Sequence, residues 1–183
     1  MSTLFLDRDG VIIYDDNYVV DIAKARLVPG IQSLLHSAKK CGYKIIVVSN
    51  QSAVARGKAT IKEVENFHLQ LNQALDGKID HFYFCPWHPK VGGESFQKYS
   101  YMRKPHPGMI LKAQREHEID LNQSIFIGDR FSDIEAAYRA GVVAIQIIHS
   151  YSVIHPWAAE TFDNLSDVEK TIIQSHPSYQ AST

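Results

Sequence analysis

Cysteine is scarce in this sequence: Cys41 and Cys85 are the only two. Two thiols make no disulfide framework, so an apolar core must hold the fold, in a reducing compartment. A surplus of basic charge is also missing. Lys and Arg number 19 against 20 Asp and Glu, for a net charge of −1. That balance lacks the footprint of a nucleic-acid or anionic-membrane binder. No basic stretch followed by a long apolar one opens the chain, and apolar runs such as Ile45–Val48 are far too short to cross a bilayer. No repeat, low-complexity tract or interdomain linker is visible. The expectation is a soluble, cytoplasmic, monomeric protein whose residues 1–183 form one domain.

What is present is alternation. Phe5-Leu6 leads into Asp7-Arg8-Asp9-Gly10, a pattern of a buried strand ending in acids and a turn. A polar loop follows, centred on Asp15, Asp16 and Asn17. Pro29-Gly30 opens a helix with Ile31, Leu34, Leu35 and Ala38 on one face, and Gly42 can stop it. Lys44–Val48 is a β-branched strand that runs into Ser49-Asn50-Gln51-Ser52. Thr60 and Glu63 have the spacing of a capping box, ahead of a stripe made by Ile61, Val64, Phe67, Leu71 and Leu75. Ile79–Phe84, Ser124–Ile127 and Val142–Ile148 bring the strands to five, with helices opening at Pro107-Gly108 and spanning Asp133–Ala140. Residues 85–102 have no period and read as a loop excursion. A helix around Asp167–Gln174 and a frayed His176–Thr183 close the chain. Strands alternating with helices predict an α/β fold with a central parallel sheet and helices on both faces.

In such a sheet the carboxyl ends of the strands share one edge, where ligands bind. The first strand delivers Asp7 and Asp9 there, the second Ser49 and Asn50, and the fourth Asp129 with Arg130 and Asp133 behind it. The stretch after the third leads to Arg103 and Lys104. Acids, a hydroxyl, an amide and cations around one crevice suit phosphoryl transfer. A carboxylate attacks phosphorus once a metal balances its charge. Hard oxygen ligands select Mg²⁺. The phosphoryl group in flight needs fixed donors, and the leaving alkoxide needs a proton.

Leu6–Val11, Val48-Ser49-Asn50, Lys104 and Gly128–Asp133 resemble, in order, the four motifs of the haloacid dehalogenase superfamily of phosphatases. Asp7–Tyr18, Ser49–Gly57 and Arg103–Met109 resemble more narrowly the heptose bisphosphate phosphatases and the related histidinol-phosphatases. The resemblance implies a Rossmann-like three-layer sandwich with no large cap domain. It implies a Mg²⁺-dependent phosphatase that removes the 7-phosphate of heptose 1,7-bisphosphate through an aspartyl-phosphate, or acts on histidinol phosphate or another small sugar phosphate. Asp7 would be the nucleophile, Asp9 the general acid/base, and Ser49 and Lys104 the phosphoryl holders. Asp7, Asp9 (through its carbonyl) and Asp129 would bind Mg²⁺. Asp15, Asp16, Asn17, Tyr18, Asn50, Gln51, Ser52, Arg103 and Arg130 would contact the rest of a small sugar phosphate.

The sequence departs from that family at one place. Relatives hold a structural zinc in the loop after the third strand, by Cys-x-His and then Cys-x-Cys before Arg-Lys-Pro. Cys85 stands at the first position, but Trp87, Ser100 and Met102 stand at the other three, with His88 one place late. Zinc is therefore not expected, and Trp87, Phe96, Tyr99 and Tyr101 are expected to pack the loop instead. A phospho-receiver domain also uses Asp, Mg²⁺, a hydroxyl and Lys. It carries its phosphoacceptor on the third strand, which here ends in Phe84-Cys85 without an acid.

Overall fold

In the computed structural model, residues 1–150 and 152–173 are described. Strand β1 (Thr3–Leu6) is wholly buried. A loop with one 3-10 turn at Ile22–Lys24 leads to helix α1 (Ile31–Lys40). Then come β2 (Lys44–Asn50), the single turn α2 (Ser52–Ala55), α3 (Ile61–Ala74) and β3 (His81–Cys85). The excursion holds one helical turn, α4 (Gly93–Phe96). The second half runs α5 (Gly108–His117), β4 (Ile125–Gly128), α6 (Phe131–Ala140), β5 (Val143–Ile147), β6 (Glu160–Phe162) and α7 (Leu165–Val168), followed by a π-helical turn at Glu169–Ile173.

The strands form one parallel sheet in the order β3-β2-β1-β4-β5-β6. The period-two alternation of side chains explains its layers. Leu4 and Leu6, Ile45 and Val47, Ile127, Ile145 and Ile147 face one way, into a core with α1, α3 and α7. Phe5, Ile46, Val48, Phe126 and Ala144 face the other, against Met109 and Ile110 of α5 and Ile134 and Ala137 of α6. Both faces of the inner strands are covered, as a parallel sheet requires. Each fully buried Leu, Ile or Phe contributes roughly 1.5–3 kcal/mol by leaving water.

The predicted capping box is formed: Thr60 Oγ1 accepts from the Glu63 N–H at 3.2 Å, and Glu63 accepts from the Thr60 N–H at 2.7 Å. Ile61, the first residue of α3, leaves its expected stripe and is 39 % exposed; the buried face begins at Val64. The sixth strand is a correction to the five expected. At three residues, two of them exposed, β6 carries no apolar alternation to read. The Asp167–Gln174 helix begins earlier, at Leu165, capped by Asn164, which accepts from the Asp167 N–H at 2.9 Å. His176–Thr183 lies outside the described residues. Among those described, no helix is long and apolar enough to cross a membrane.

Candidate active site

The sheet order reverses at β1. From there the chain adds β2 and β3 on one side, then returns to add β4 on the other. A crevice opens between loops that diverge at such a switch point. Asp7 follows β1 and Asp129 follows β4, on the two sides of it. The Asp7 N–H still bonds the Ile127 carbonyl at 3.0 Å, so the sheet itself fixes where the carboxylate starts.

Two glycines let the acids converge. A Cβ on Gly10 would sit 2.3 Å from Asp129 Oδ2, and Gly10 has φ +87, so this turn tolerates no side chain. A Cβ on Gly128 would sit 2.3 Å from the Cβ of Asp133. Asp133, in the first turn of α6, accepts the Arg130 N–H at 3.0 Å and so secures the start of that helix.

Asp7, Asp129 and Asp133 present buried carboxylate oxygens within 4.8 Å of one another. Lys104, buried beneath them, places Nζ 2.8 Å from Asp7 Oδ1 and 2.8 Å from Asp133 Oδ1. It also donates to the Val48 carbonyl at 2.7 Å. Burial works against the Lys104 charge, but Asp133 and Asp7 outweigh it and raise its pKa. Burial pushes the Asp7 carboxyl up to about 7; Lys104 pulls against this, while Asp133 and Asp9 add to it. Three carboxylates gather around the Lys104 ammonium, with the Arg130 charge also within their reach. A hard divalent cation such as Mg²⁺ fits that donor set in both charge and atom type.

Asp9 points elsewhere. Its carboxylate takes Arg8 Nη2 at 2.8 and 3.0 Å, Arg8 Nε at 3.1 Å and Gln51 Nε2 at 3.0 Å. Arg8 is fully buried, with its guanidinium 4.9 Å from the Phe67 ring centroid. Among described side chains it is Asp133, rather than Asp9, that joins Asp7 and Asp129.

A cavity of about 390 Å³ opens above this cluster. Asp7, Asp9, Asp15, Asn17, Tyr18, Asn50, Gln51, Ser52, Arg103, Lys104 and Arg130 all line it, as the sequence reading expects. Asp16 does not. Its carboxylate turns outward to Arg26, accepting at 2.8 and 2.9 Å, a bidentate pair that removes it from the substrate wall. Ser49 lies beneath the wall, its Oγ accepting from Gln51 Nε2 at 2.8 Å. Asn50 and Gln51 line the cavity with side chains already engaged: Asn50 with the Lys104 main chain, Gln51 with Asp9 and Ser49. Arg130 pairs with Asp15. Asn17 and Tyr18 both hold positive φ, +61 and +64, a conformation uncommon outside glycine that gathers at ligand sites.

Sequence reasoning missed Arg56, His88 and Ser132 on the wall. Arg56 lies in the Ser49–Gly57 stretch, and that proximity was its only signal. The packing expected of the loop also needs correction. Trp87 packs against the core beside Met102, and Phe96 packs near Val54. Tyr99 and Tyr101, however, are 85 % and 60 % exposed and do not pack the loop's interior.

A parallel sheet with buried acids and a lysine gathered at its switch point defines the class: a haloacid dehalogenase-like hydrolase. Comparison with known proteins agrees. Residues 101–148 match the family model described as HAD-hydrolase-like. The chain is 35 % identical over 179 residues to the D-glycero-beta-D-manno-heptose-1,7-bisphosphate 7-phosphatase of Escherichia coli (strain K12), covering 94 % of each. It is 44 % identical over 146 residues to the D-glycero-alpha-D-manno-heptose-1,7-bisphosphate 7-phosphatase of Burkholderia mallei, covering 76 % of this chain and 75 % of that one. The fold also overlays D,D-heptose 1,7-bisphosphate phosphatase from B. bronchiseptica, a structure complexed with magnesium and phosphate. The TM-score is 0.80 at 24 % identity, over 95 % of this chain and 99 % of that one. This chain belongs to the haloacid dehalogenase-like phosphatases, in the family that includes these heptose-1,7-bisphosphate 7-phosphatases. It is a phosphoric monoester hydrolase.

Proposed function

We propose that this phosphatase removes the 7-phosphate of D-glycero-D-manno-heptose 1,7-bisphosphate, with Mg²⁺, through an aspartyl-phosphate on Asp7. It works as a monomeric single-domain enzyme of the cytoplasm, 1–183, on a small sugar phosphate in nucleotide-activated heptose synthesis. No nucleic acid or membrane takes part. The substrate assignment rests on the names of relatives that align over nearly the whole chain. The chemical assignment rests on one observation above all: Lys104 Nζ lies 2.8 Å from Asp7 Oδ1 at the floor of the cavity. A lysine there is set to hold a phosphoryl oxygen as Asp7 reaches phosphorus.

Asp7 attacks phosphorus, and the bond to the sugar oxygen breaks. Asp9 gives that oxygen a proton, then takes one from the water that attacks the aspartyl-phosphate, so that phosphate leaves and Asp7 is restored. Ser49 and Lys104 hold the transferring group. Asp7, Asp129 and the Asp9 carbonyl are the Mg²⁺ ligands in this reading, with Asp133 supporting Lys104. The cation supplies the positive charge that lets a carboxylate approach a phosphate. Arg8 and Gln51 orient Asp9, and Asn17, Tyr18, Ser52, Arg103 and Arg130 face the sugar.

Phosphate release from heptose 1,7-bisphosphate, histidinol phosphate and a panel of sugar phosphates tests this reading. The heptose bisphosphate should be turned over fastest, and Asp7→Asn should abolish turnover while the circular dichroism spectrum is kept. A strong preference for histidinol phosphate would reverse the substrate assignment. Retained turnover in Asp7→Asn would remove Asp7 as the nucleophile.

A further inference from the structure

The loop between β3 and α5 is held without the expected metal-ligand set, and the way it is held aims a histidine at the cavity. The His88 N–H donates to the Phe96 carbonyl at 3.1 Å, and the Lys98 N–H donates to the His88 carbonyl at 3.1 Å. The neighbouring Trp87 lies against the core, with Lys98 Nζ 4.1 Å from its ring centroid. Its carbonyl accepts from Arg103 Nη1 at 3.1 Å. His88 is thus fixed on both sides, and its side chain lines the cavity. His88 Nδ1 accepts the Lys90 N–H at 3.1 Å, so the ring proton sits on Nε2. That leaves Nε2–H as a donor.

Arg56 and Arg103 line the same cavity. Of the five other arginines, four have carboxylate partners: Arg8 with Asp9, Arg26 with Asp16, Arg130 with Asp15 and Arg139 with Glu135; the fifth, Arg115 on α5, does not line the cavity. Among the described residues, no ion pair engages Arg56, Arg103 or His88. Burial, and then the charges of Arg103, Arg56 and Lys90, hold the His88 imidazole below its usual pKa. Burial and Arg56 do the same to Arg103, against an opposing effect from Cys85. Two guanidinium groups that meet no acid, beside an imidazole N–H on the same cavity wall, make a receptor for an anion. The Arg56 guanidinium, the Arg103 N–H groups not taken by the Trp87 carbonyl and an imidazole N–H match the acceptor oxygens of a phosphate. The Asp7 cluster already provides for one phosphoryl group at the cavity floor.

We propose that His88, with Arg56 and Arg103, receives the second phosphate of a bis-phosphorylated substrate, and that His88 sets this chain's preference for bisphosphates over monophosphates. The inference rests on the phosphatase reading of the Asp7 cluster and deepens it. It does not depend on the sugar being a heptose.

Binding tests it apart from turnover. Fructose 1,6-bisphosphate and fructose 6-phosphate are titrated calorimetrically into the Asp7→Asn protein with Mg²⁺. The bisphosphate should bind at least about tenfold tighter, the value of one charged hydrogen bond. His88→Leu and Arg56→Gln should each cut that ratio about tenfold. His88→Gln, which keeps an N–H, should restore most of it. A ratio near one in the parent protein overturns the proposal. So does a ratio unmoved by both substitutions, or an equal loss of affinity for both sugars, which marks a structural role alone. Tight bisphosphate binding beside absent heptose bisphosphate turnover would instead leave this subsite standing and sink the proposed function.

Discussion

Asn50 and Lys104 are joined by two hydrogen bonds that run in opposite directions. Asn50 Nδ2 donates to the Lys104 carbonyl at 3.0 Å, and the Lys104 N–H donates to Asn50 Oδ1 at 3.1 Å. The end of β2 thereby grips the segment that leaves the excursion, at the residue whose ammonium reaches Asp7. Asn50→Ala should lower kcat more than it raises KM, and should cost about 1–3 kcal/mol of stability from two lost bonds. Asn50→Asp should not rescue it, since a carboxylate would face the Lys104 carbonyl. Steady-state kinetics beside urea denaturation checks this; a pure KM effect would return Asn50 to the role of substrate contact.

Lys104 separates two acids that would otherwise repel. Its removal in Lys104→Met leaves Asp7 and Asp133 buried without the cation between them, at a cost of about 3–5 kcal/mol. Adding Asp7→Asn removes one of the two charges and should recover part of that loss. Unfolding midpoints of the two single variants and the double variant measure the coupling. Additive losses would mean that Lys104 and Asp7 do not interact in solution.

The hard oxygen ligands that Asp7, Asp129 and Asp133 gather within 4.8 Å of one another should make folding responsive to Mg²⁺. Magnesium at about a hundred times its dissociation constant should add about 2.7 kcal/mol of stability. Asp129→Asn should lose most of that gain. Thermal melts with and without chelator read it without any assay of activity. Elemental analysis of the same protein should find zinc well below one equivalent, since Trp87, Ser100 and Met102 offer no ligand set beside Cys85.

His68 gives a pH limit to stability. Its ring stacks on Phe82 at 4.5 Å, and burial together with the nearby Arg8 charge pushes its pKa down to about 3. In the unfolded chain it titrates at about 6.5. The unfolded state therefore binds the extra proton between those values. Stability should be full above pH 6.5 and fall as pH drops towards 3, by up to about 1.4 kcal/mol per unit. Between pH 7.5 and 5 that amounts to about 2 kcal/mol. His68→Phe, which keeps an aromatic face, should flatten this limb in denaturation curves at the two pH values.

Much of this protein was legible in its sequence because the signals are local. Period-two strands, a capping box at Thr60 and Glu63, and acids with glycine after a buried strand each depend on neighbours a few residues away. They establish a parallel sheet and place Asp7, Lys104 and Asp129 at one edge of it. β6 was not legible, because a short exposed edge strand has no pattern of its own. Other features depend on contacts between residues far apart in the chain. Asp16 turns to Arg26, Asn50 grips Lys104 across 54 positions, and Asp133 meets Lys104 beside Asp7. His88 faces the cavity only because Phe96 and Lys98 hold its backbone. Local sequence patterns specify the sheet and the chemistry its edge can carry. Tertiary structure alone decided which polar groups remain free to meet a substrate, because a side chain's donors are assigned by whatever folding brings beside them.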